Sequence, residues 1–184
     1  MEQWDLYNER REPTGRTHTR GDEIPQGCYH LVVHVWIKNS QGEYLISQRS
    51  ADRPTLPLKW ECVGGSVLKG ETSQDGALRE TLEEVGVTLN PENGTPLFSE
   101  VRDTVGGVRF ADILDVWLFQ YDGPITLENA LTKEVARSAW MGKAQIKNLF
   151  DRGELVHTLG YFFKTEALCR AVHFDAITQQ KTAF

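Results

Sequence analysis

Residues 72–85 constrain this chain more than any other stretch. Ala77, Leu78, Thr81, Leu82 and Val85 recur at helical spacing and give one side of a helix an apolar face. Thr72 is placed to cap its start, Asp75 completes a capping box, and Gly86 is a natural stop. Gly76, inside the helix, costs about 1 kcal/mol against alanine. The other side is the anomaly. Glu80, Glu83 and Glu84 share an arc of roughly 100°. Like charges at this spacing repel by about 0.2–0.5 kcal/mol per pair. They also crowd the C-terminal turns, where the helix dipole disfavours an exposed anion by roughly 0.3–1 kcal/mol. Two local rules broken together point to function. A hard divalent cation relieves both conflicts. Mg²⁺ takes oxygen ligands at about 2.0–2.1 Å and shares its shell with water and substrate phosphates.

The rest of the chain reads as strands and turns around that helix. Trp4 to Tyr7 is a strand candidate, Glu12 to Gly15 a turn, and Arg16 to Thr19 a hairpin partner. Tyr29 to Lys38 is the strongest strand signal, rich in β-branched and aromatic residues. A turn at Asn39 to Gly42 leads into a returning strand at Glu43 to Arg49, and Pro54 and Pro57 mark a loop. Further strands are expected at Glu61–Gly65, Leu97–Asp103, Val108–Tyr121 and Arg137–Met141, with helices at Lys143–Phe150 and Tyr161–Val172. Strands outnumber helices and pair by hairpins. The expectation is an α+β protein with a mixed sheet and helices packed outside it.

Composition excludes several classes. The 184 residues carry 20 Lys+Arg against 26 Asp+Glu, a formal charge of −6. That balance argues against a broad nucleic-acid surface or an anionic membrane face. The longest apolar runs are too short to span a membrane. Cys28, Cys62 and Cys169 are an odd number without C-x-x-C spacing, and the first residues are polar with no leader pattern. Reduced thiols and a cytoplasmic location are the expectation.

A bare E-x-x-E-E also suits a solvated acidic helix, so the flanking spacing decides. It matches G-x5-E-x7-R-E-U-x-E-E-x-G-U, where U is bulky and apolar. Gly65, Glu71, Arg79, Glu80, Glu83, Glu84, Gly86 and Val87 fill every defined position except the first U, which is Thr81. This resembles the Nudix box, the signature of the Nudix hydrolase superfamily. The resemblance implies an α/β/α sandwich and Mg²⁺- or Mn²⁺-dependent cleavage of a diphosphate linkage in a small molecule, typically a nucleoside diphosphate derivative. It implies Glu80, Glu83, Glu84 and the Gly64 carbonyl as metal ligands, with Arg79 and Glu71 ordering the loop and helix. Residues 1–28 then form an N-terminal hairpin extension, and 29–184 the Nudix domain. A small-molecule diphosphate is the expected partner, and a homodimer the candidate assembly.

Trp4 to Asn8, Gly15, Tyr29 to Leu31, Trp36, Asn39, Gly42, Leu45, Arg49 and Trp60 are similar to the Nudix subgroup that contains isopentenyl diphosphate isomerase. That isomerase has a catalytic Cys and a metal-binding His where this chain has Gly64 and Ser66, with Cys62 two residues away. His30 matches one of its metal-ligand positions without the partner ligands. Hydrolase chemistry is therefore the first reading. An isomerase and a non-catalytic ligand-binding module are the alternatives. His30 and His34 could face one side of their strand as a second metal pair, or be partly buried strand residues. For the general base, Glu134 leads, with Glu100, Asp103 and Glu128 behind it; Glu83 or Glu84 acting on a metal-bound water is an equal choice. Arg49, Arg53 and Lys59 are the phosphate-contact candidates. Trp36, Trp60, Phe110 and Trp117 suit a core better than a base-stacking platform.

Overall fold

In the computed structural model, which describes residues 1–105 and 107–169, β1 (Gln3–Tyr7) and β2 (Pro13–Thr19) form an antiparallel hairpin ahead of the central strand β3 (His30–Lys38). The hairpin turns at Asn8–Arg11, not at Glu12–Gly15. The Asn8 carboxamide accepts from the Arg10 and Glu12 backbones at 2.9 and 3.0 Å, and Arg11 takes a left-handed φ of 63°. Gly15 (φ 71°) instead lies in β2, opposite the register shift between Asp5 and Tyr7.

Strand β3 runs parallel to β8 (Val108–Gln120), which pairs antiparallel with β7 (Gly94–Val105). The other edge of β3 is shared. β4 (Tyr44–Arg49) touches it only at Lys38↔Tyr44 and then diverges to pair with β5 (Trp60–Glu61) and β9 (Val135–Met141). β6 (Val63–Ser66) occupies the vacated edge, from Val32↔Ser66 to Val35↔Val63. The expected simple hairpin return is thus a fork, and the fork brings the two glycines beside β3.

Period-two alternation along β3 feeds two cores. Leu31, Val33, Val35 and Ile37 join Val63, Val67, Ala77, Val85 and Ile113 beneath α1 (Ser73–Val85). Trp36 faces the other way, with Tyr44, Ile46, Leu114, Val116 and Phe162, beneath α2 (Lys143–Asp151). Two apolar faces covered by helices make the sandwich. Tyr161 to Phe163 belong to a 3₁₀ segment, His157–Phe163, rather than to an α-helix, and α3 (Glu166–Cys169) follows. Consecutive aromatics here face different partners: Phe162 stacks on Trp36 at 4.3 Å and Phe163 meets Phe150 at 5.2 Å. The expected helix beyond residue 169 lies outside the described residues, as does the Cys169 side chain. Cys28 and Cys62 are buried free thiols.

The capping of α1 follows its sequence. Thr72 Oγ1 accepts from the Asp75 backbone at 3.2 Å, Asp75 Oδ2 accepts from the Thr72 backbone at 2.9 Å, and Gly86 ends the helix at φ 70°. Thr81 faces the core, its hydroxyl donating to the Ala77 carbonyl at 2.8 Å. Gly76 is explained by a close approach: a Cβ there would lie 2.9 Å from Cγ2 of buried Val67. Gly76→Ala gains about 1 kcal/mol of helix propensity. Overpacking costs about 1–3 kcal/mol, so the expected net effect is a lower Tm in thermal melts. A Tm raised by several degrees would mean that Val67 yields freely.

Candidate active site

Crowding surrounds the glycines at positions 64 and 65. A Cβ on Gly64 would sit 2.6 Å from the Val33 carbonyl oxygen, and one on Gly65 only 2.2 Å from Glu80 Oε1. The bare backbone therefore lies between β3 and the acidic side of α1.

Arg79 organises that side. Its Nε and Nη2 donate to the two Glu71 oxygens at 2.8 and 3.0 Å, and Nη2 also donates to the Ser66 carbonyl at 2.8 Å. Its Nη1 bridges Glu80 and Glu83, each at 2.9 Å. Burial would lower the guanidinium pKa, but its bonds to Glu71 and Glu80 raise it instead, so the charge is fixed. Glu71 also accepts from the Leu68 backbone at 2.9 Å, which ties the loop to the helix. The Glu83 carbonyl accepts from Leu131 N–H, Thr132 N–H and Thr132 Oγ1 at 2.9, 3.0 and 3.1 Å. Those donors fix the acidic turn from the far side. Thr132 had no sequence signal, because its only relevant partner is 49 residues away.

Glu84 is buried, and its Oε2 has no hydrogen-bond partner. Burial pushes its pKa well above the usual carboxylate range, and Glu61, Glu80 and Glu134 push it further. Burial raises Glu80 too, opposed by Arg79 and reinforced by Glu83 and Glu134. An orphaned buried oxygen, an all-oxygen donor set and a glycine backbone that admits close approach fit a hard divalent ion. Among the described residues, no three His, Cys, Asp or Glu side chains form a ready-made metal cluster. Arg79 bridges two of the three helix carboxylates instead.

These groups line a polar cleft of about 140 Å³. It brings together Gly64, Gly65, Arg79, Glu80, Glu83 and Glu84 with Arg53 and Glu134, two expectations from distant sequence. Arg53 pairs with Glu134, and its buried Nε has no partner. Glu2, Arg20, Ser66 and Thr132 complete the wall. Arg49 and Lys59, also expected as phosphate contacts, do not line it. Arg49 is engaged by Glu61 (2.7 Å) and the Thr55 carbonyl (3.0 Å), and Lys59 by the Gly153 carbonyl. Glu100, Asp103 and Glu128 lie off the cleft as well. A roomier cavity, about 420 Å³, lies under the hairpin turn, but its Arg11 and Asp115 satisfy each other and its Trp117 donates to Ser73.

A smaller cavity of about 120 Å³ shares Gly64 and Gly65 and is lined also by His34, Glu61 and Cys62. His34 Nδ1 lies 2.9 Å from the Tyr161 hydroxyl, which also accepts from Trp36 Nε1 at 3.0 Å. Burial raises the Cys62 thiol, with Glu61 and Glu84 adding to it, so the thiolate is disfavoured. His30 and His34 have separate neighbours. His30 stacks on Trp4 at 4.1 Å, and burial first, then nearby cations, lowers the two imidazoles to about 4 and about 3. Trp36 and Trp60 are core residues, as expected.

The NUDIX domain model matches residues 29–159, most of the chain. The chain belongs to the Nudix family. Among its relatives, an uncharacterized Nudix hydrolase of Listeria innocua is 38% identical over 164 residues, covering 89% of this chain and 91% of that one. An isopentenyl-diphosphate Delta-isomerase of Shigella flexneri is 29% identical over 87 residues, 47% of this chain and 48% of that one. The crystal structure of DR0079 from Deinococcus radiodurans shares the fold, with a TM-score of 0.67 at 24% identity, covering 92% of this chain and 98% of that one. This chain therefore stands among the Nudix hydrolases and has the mixed-sheet Nudix fold. Among the described residues, no helix is long and apolar enough to cross a membrane.

Proposed function

We propose that this Nudix protein is a Mg²⁺-dependent pyrophosphohydrolase of a small molecule, with a nucleoside diphosphate derivative as the first substrate class to test and Mn²⁺ as the alternative metal. The observation that carries the reading is buried Glu84, whose Oε2 lacks a partner while Glu80 and Glu83 stand beside it. Such a carboxylate is costly unless protonated or bound to a cation. Glu80, Glu83, Glu84 and the Gly64 carbonyl would hold the ion. Bound there, it would neutralise diphosphate charge, polarise the P–O bond and lower the pKa of the attacking water.

The side chains do the rest. Arg79, held by Glu71, keeps Glu80 and Glu83 turned to the cleft. Arg53 exchanges its Nη1 contact with Glu134 for a phosphate oxygen, which releases Glu134. Glu134 then accepts the proton of the attacking water as the P–O bond to the leaving group breaks. Residues 1–28 act as an extension that walls the cleft, and the two buried thiols suit a reducing cytoplasm.

One observation favours a second reading. Cys62 opens onto the small cavity that shares Gly64 and Gly65, where an isomerase would use a thiol. The deciding experiment measures phosphate release across nucleoside diphosphate derivatives, with and without Mg²⁺, alongside isopentenyl diphosphate. Mg²⁺-dependent release supports the hydrolase. Isomerisation without release selects the isomerase, and metal-independent binding without turnover selects a ligand-binding module.

A further inference from the structure

We infer that Arg20, supplied by the N-terminal hairpin, is a diphosphate-binding residue of the acidic cleft, with Glu2 as its internal stand-in for a phosphate. The inference rests on the hydrolase reading above and adds a residue from outside the family domain, whose match begins at residue 29.

The open end of the hairpin stands at the cleft. Gln3 pairs with Thr19, and Arg20 N–H donates to the Glu2 carbonyl at 3.0 Å, which extends the ladder by one step. There Arg20 Nη1 donates to both Glu2 carboxylate oxygens, at 3.0 and 2.9 Å, and both side chains line the cleft. The hairpin is also fixed relative to the glycines. Lys69 N–H donates to the Gln3 carbonyl and Gly70 N–H to Asp5 Oδ2, both at 2.8 Å. Lys69 and Gly70 belong to the loop joining β6 to α1. The segment that positions the metal-ligand candidates therefore also positions Arg20.

The charges of the cleft show why an added cation matters. Five glutamates and three arginines line it, a surface that repels a diphosphate in the absence of a cation. Arg79 is committed to Glu71, Glu80 and Glu83, and Arg53 to Glu134. Arg20 is the most exposed of the three, its side chain 57% accessible against 22% for Arg53 and 20% for Arg79. An exposed ion pair contributes little, so Glu2 is the carboxylate most easily displaced. A phosphate offers the guanidinium fork two oxygens and more charge. Substrate binding exchanges Glu2 for phosphate on Arg20, and Glu2 swings to solvent.

The test is titration calorimetry with methylenediphosphonate, a diphosphate analogue that resists hydrolysis, in the presence of Mg²⁺. Arg20→Ala is expected to weaken binding about tenfold, Arg20→Lys less, and Glu2→Gln to leave it equal or tighter. Mn²⁺ binding without analogue should stay within about twofold in all three, since none of them supplies a metal ligand. Both positions are exposed, so the variants should melt like wild type. A loss of at least about fivefold for Arg20→Ala, with Mn²⁺ binding intact, supports the inference, and a smaller loss overturns it. Weaker binding by Glu2→Gln overturns the stand-in role of Glu2. Wild type that hydrolyses its substrate while Arg20→Ala binds the analogue normally sinks the role of Arg20 and leaves the hydrolase reading standing. Arg20-dependent binding without any hydrolysis does the reverse.

Discussion

Glu84→Gln is expected to lower kcat by about 10²-fold or more and to leave the metal-free fold at least as stable as wild type. The two effects separate because of where Glu84 sits. Its carboxyl is buried with one orphaned oxygen, and burial together with three neighbouring glutamates favours the protonated form. A glutamine nearly reproduces that neutral form, so the apo core should accept it. It cannot supply the negative charge that a divalent ion requires. The pH dependence gives a second reading of the same group. An unfolded glutamate ionises near 4.5, while the folded Glu84 holds its proton to a higher pH. Below the unfolded value, both states are protonated and the contribution to stability is complete. As pH rises from there through the folded value, the unfolded state releases its proton first, so that contribution is lost. Melts in EDTA should therefore show wild type losing stability relative to Glu84→Gln as pH rises from 4.5. Turnover close to wild type in this variant would remove Glu84 from the metal site. A flat difference in the melts would mean that its burial is relieved in solution.

Gly65→Ala should cost about 10²-fold in kcat with only a small loss of stability. The new methyl carbon would fall 2.2, 2.3 and 2.6 Å from the three terminal atoms of the Glu80 carboxylate. A side-chain end can move, so the fold survives by turning Glu80 away. That movement breaks the bond from Arg79 Nη1 to Glu80 and displaces one of the three helix carboxylates. The contrast is Gly64→Ala. There the clash is with the Val33 carbonyl at 2.6 Å, backbone against backbone, and stability should fall together with activity. Steady-state kinetics with Mg²⁺ and thermal melts on both variants give the comparison. Equal activity in Gly65→Ala and wild type would show that the position of Glu80 does not matter to turnover.

Much of this was legible in residue spacing. The cap at Thr72 and the stop at Gly86 follow from the chemistry of helix ends and the acidic arc of α1 from a period of 3.6, local properties that neighbours along the chain reveal. The strand at His30–Lys38 was equally plain. Legibility ended where partners are distant. Pro13 and Gly15 point to a turn at Glu12–Gly15, but the Asn8 side chain makes it at Asn8–Arg11. The three cationic candidates 49, 53 and 59 look alike as sequence. Only Arg53 meets Glu134 across the cleft, while Arg49 turns to Glu61 and Lys59 to Gly153.

The sequence alone determined an acidic helix face behind a glycine loop, because repulsion between carboxylates one turn apart is set by local helix geometry. Tertiary structure decided what surrounds that helix. The fork in which β6 replaces β4 beside β3 places Gly64 opposite His34. The β9 approach delivers Glu134, and the hairpin end delivers Glu2 and Arg20. Each depends on pairing between strands far apart in the chain, and no periodicity within a single segment encodes which distant edge it will meet.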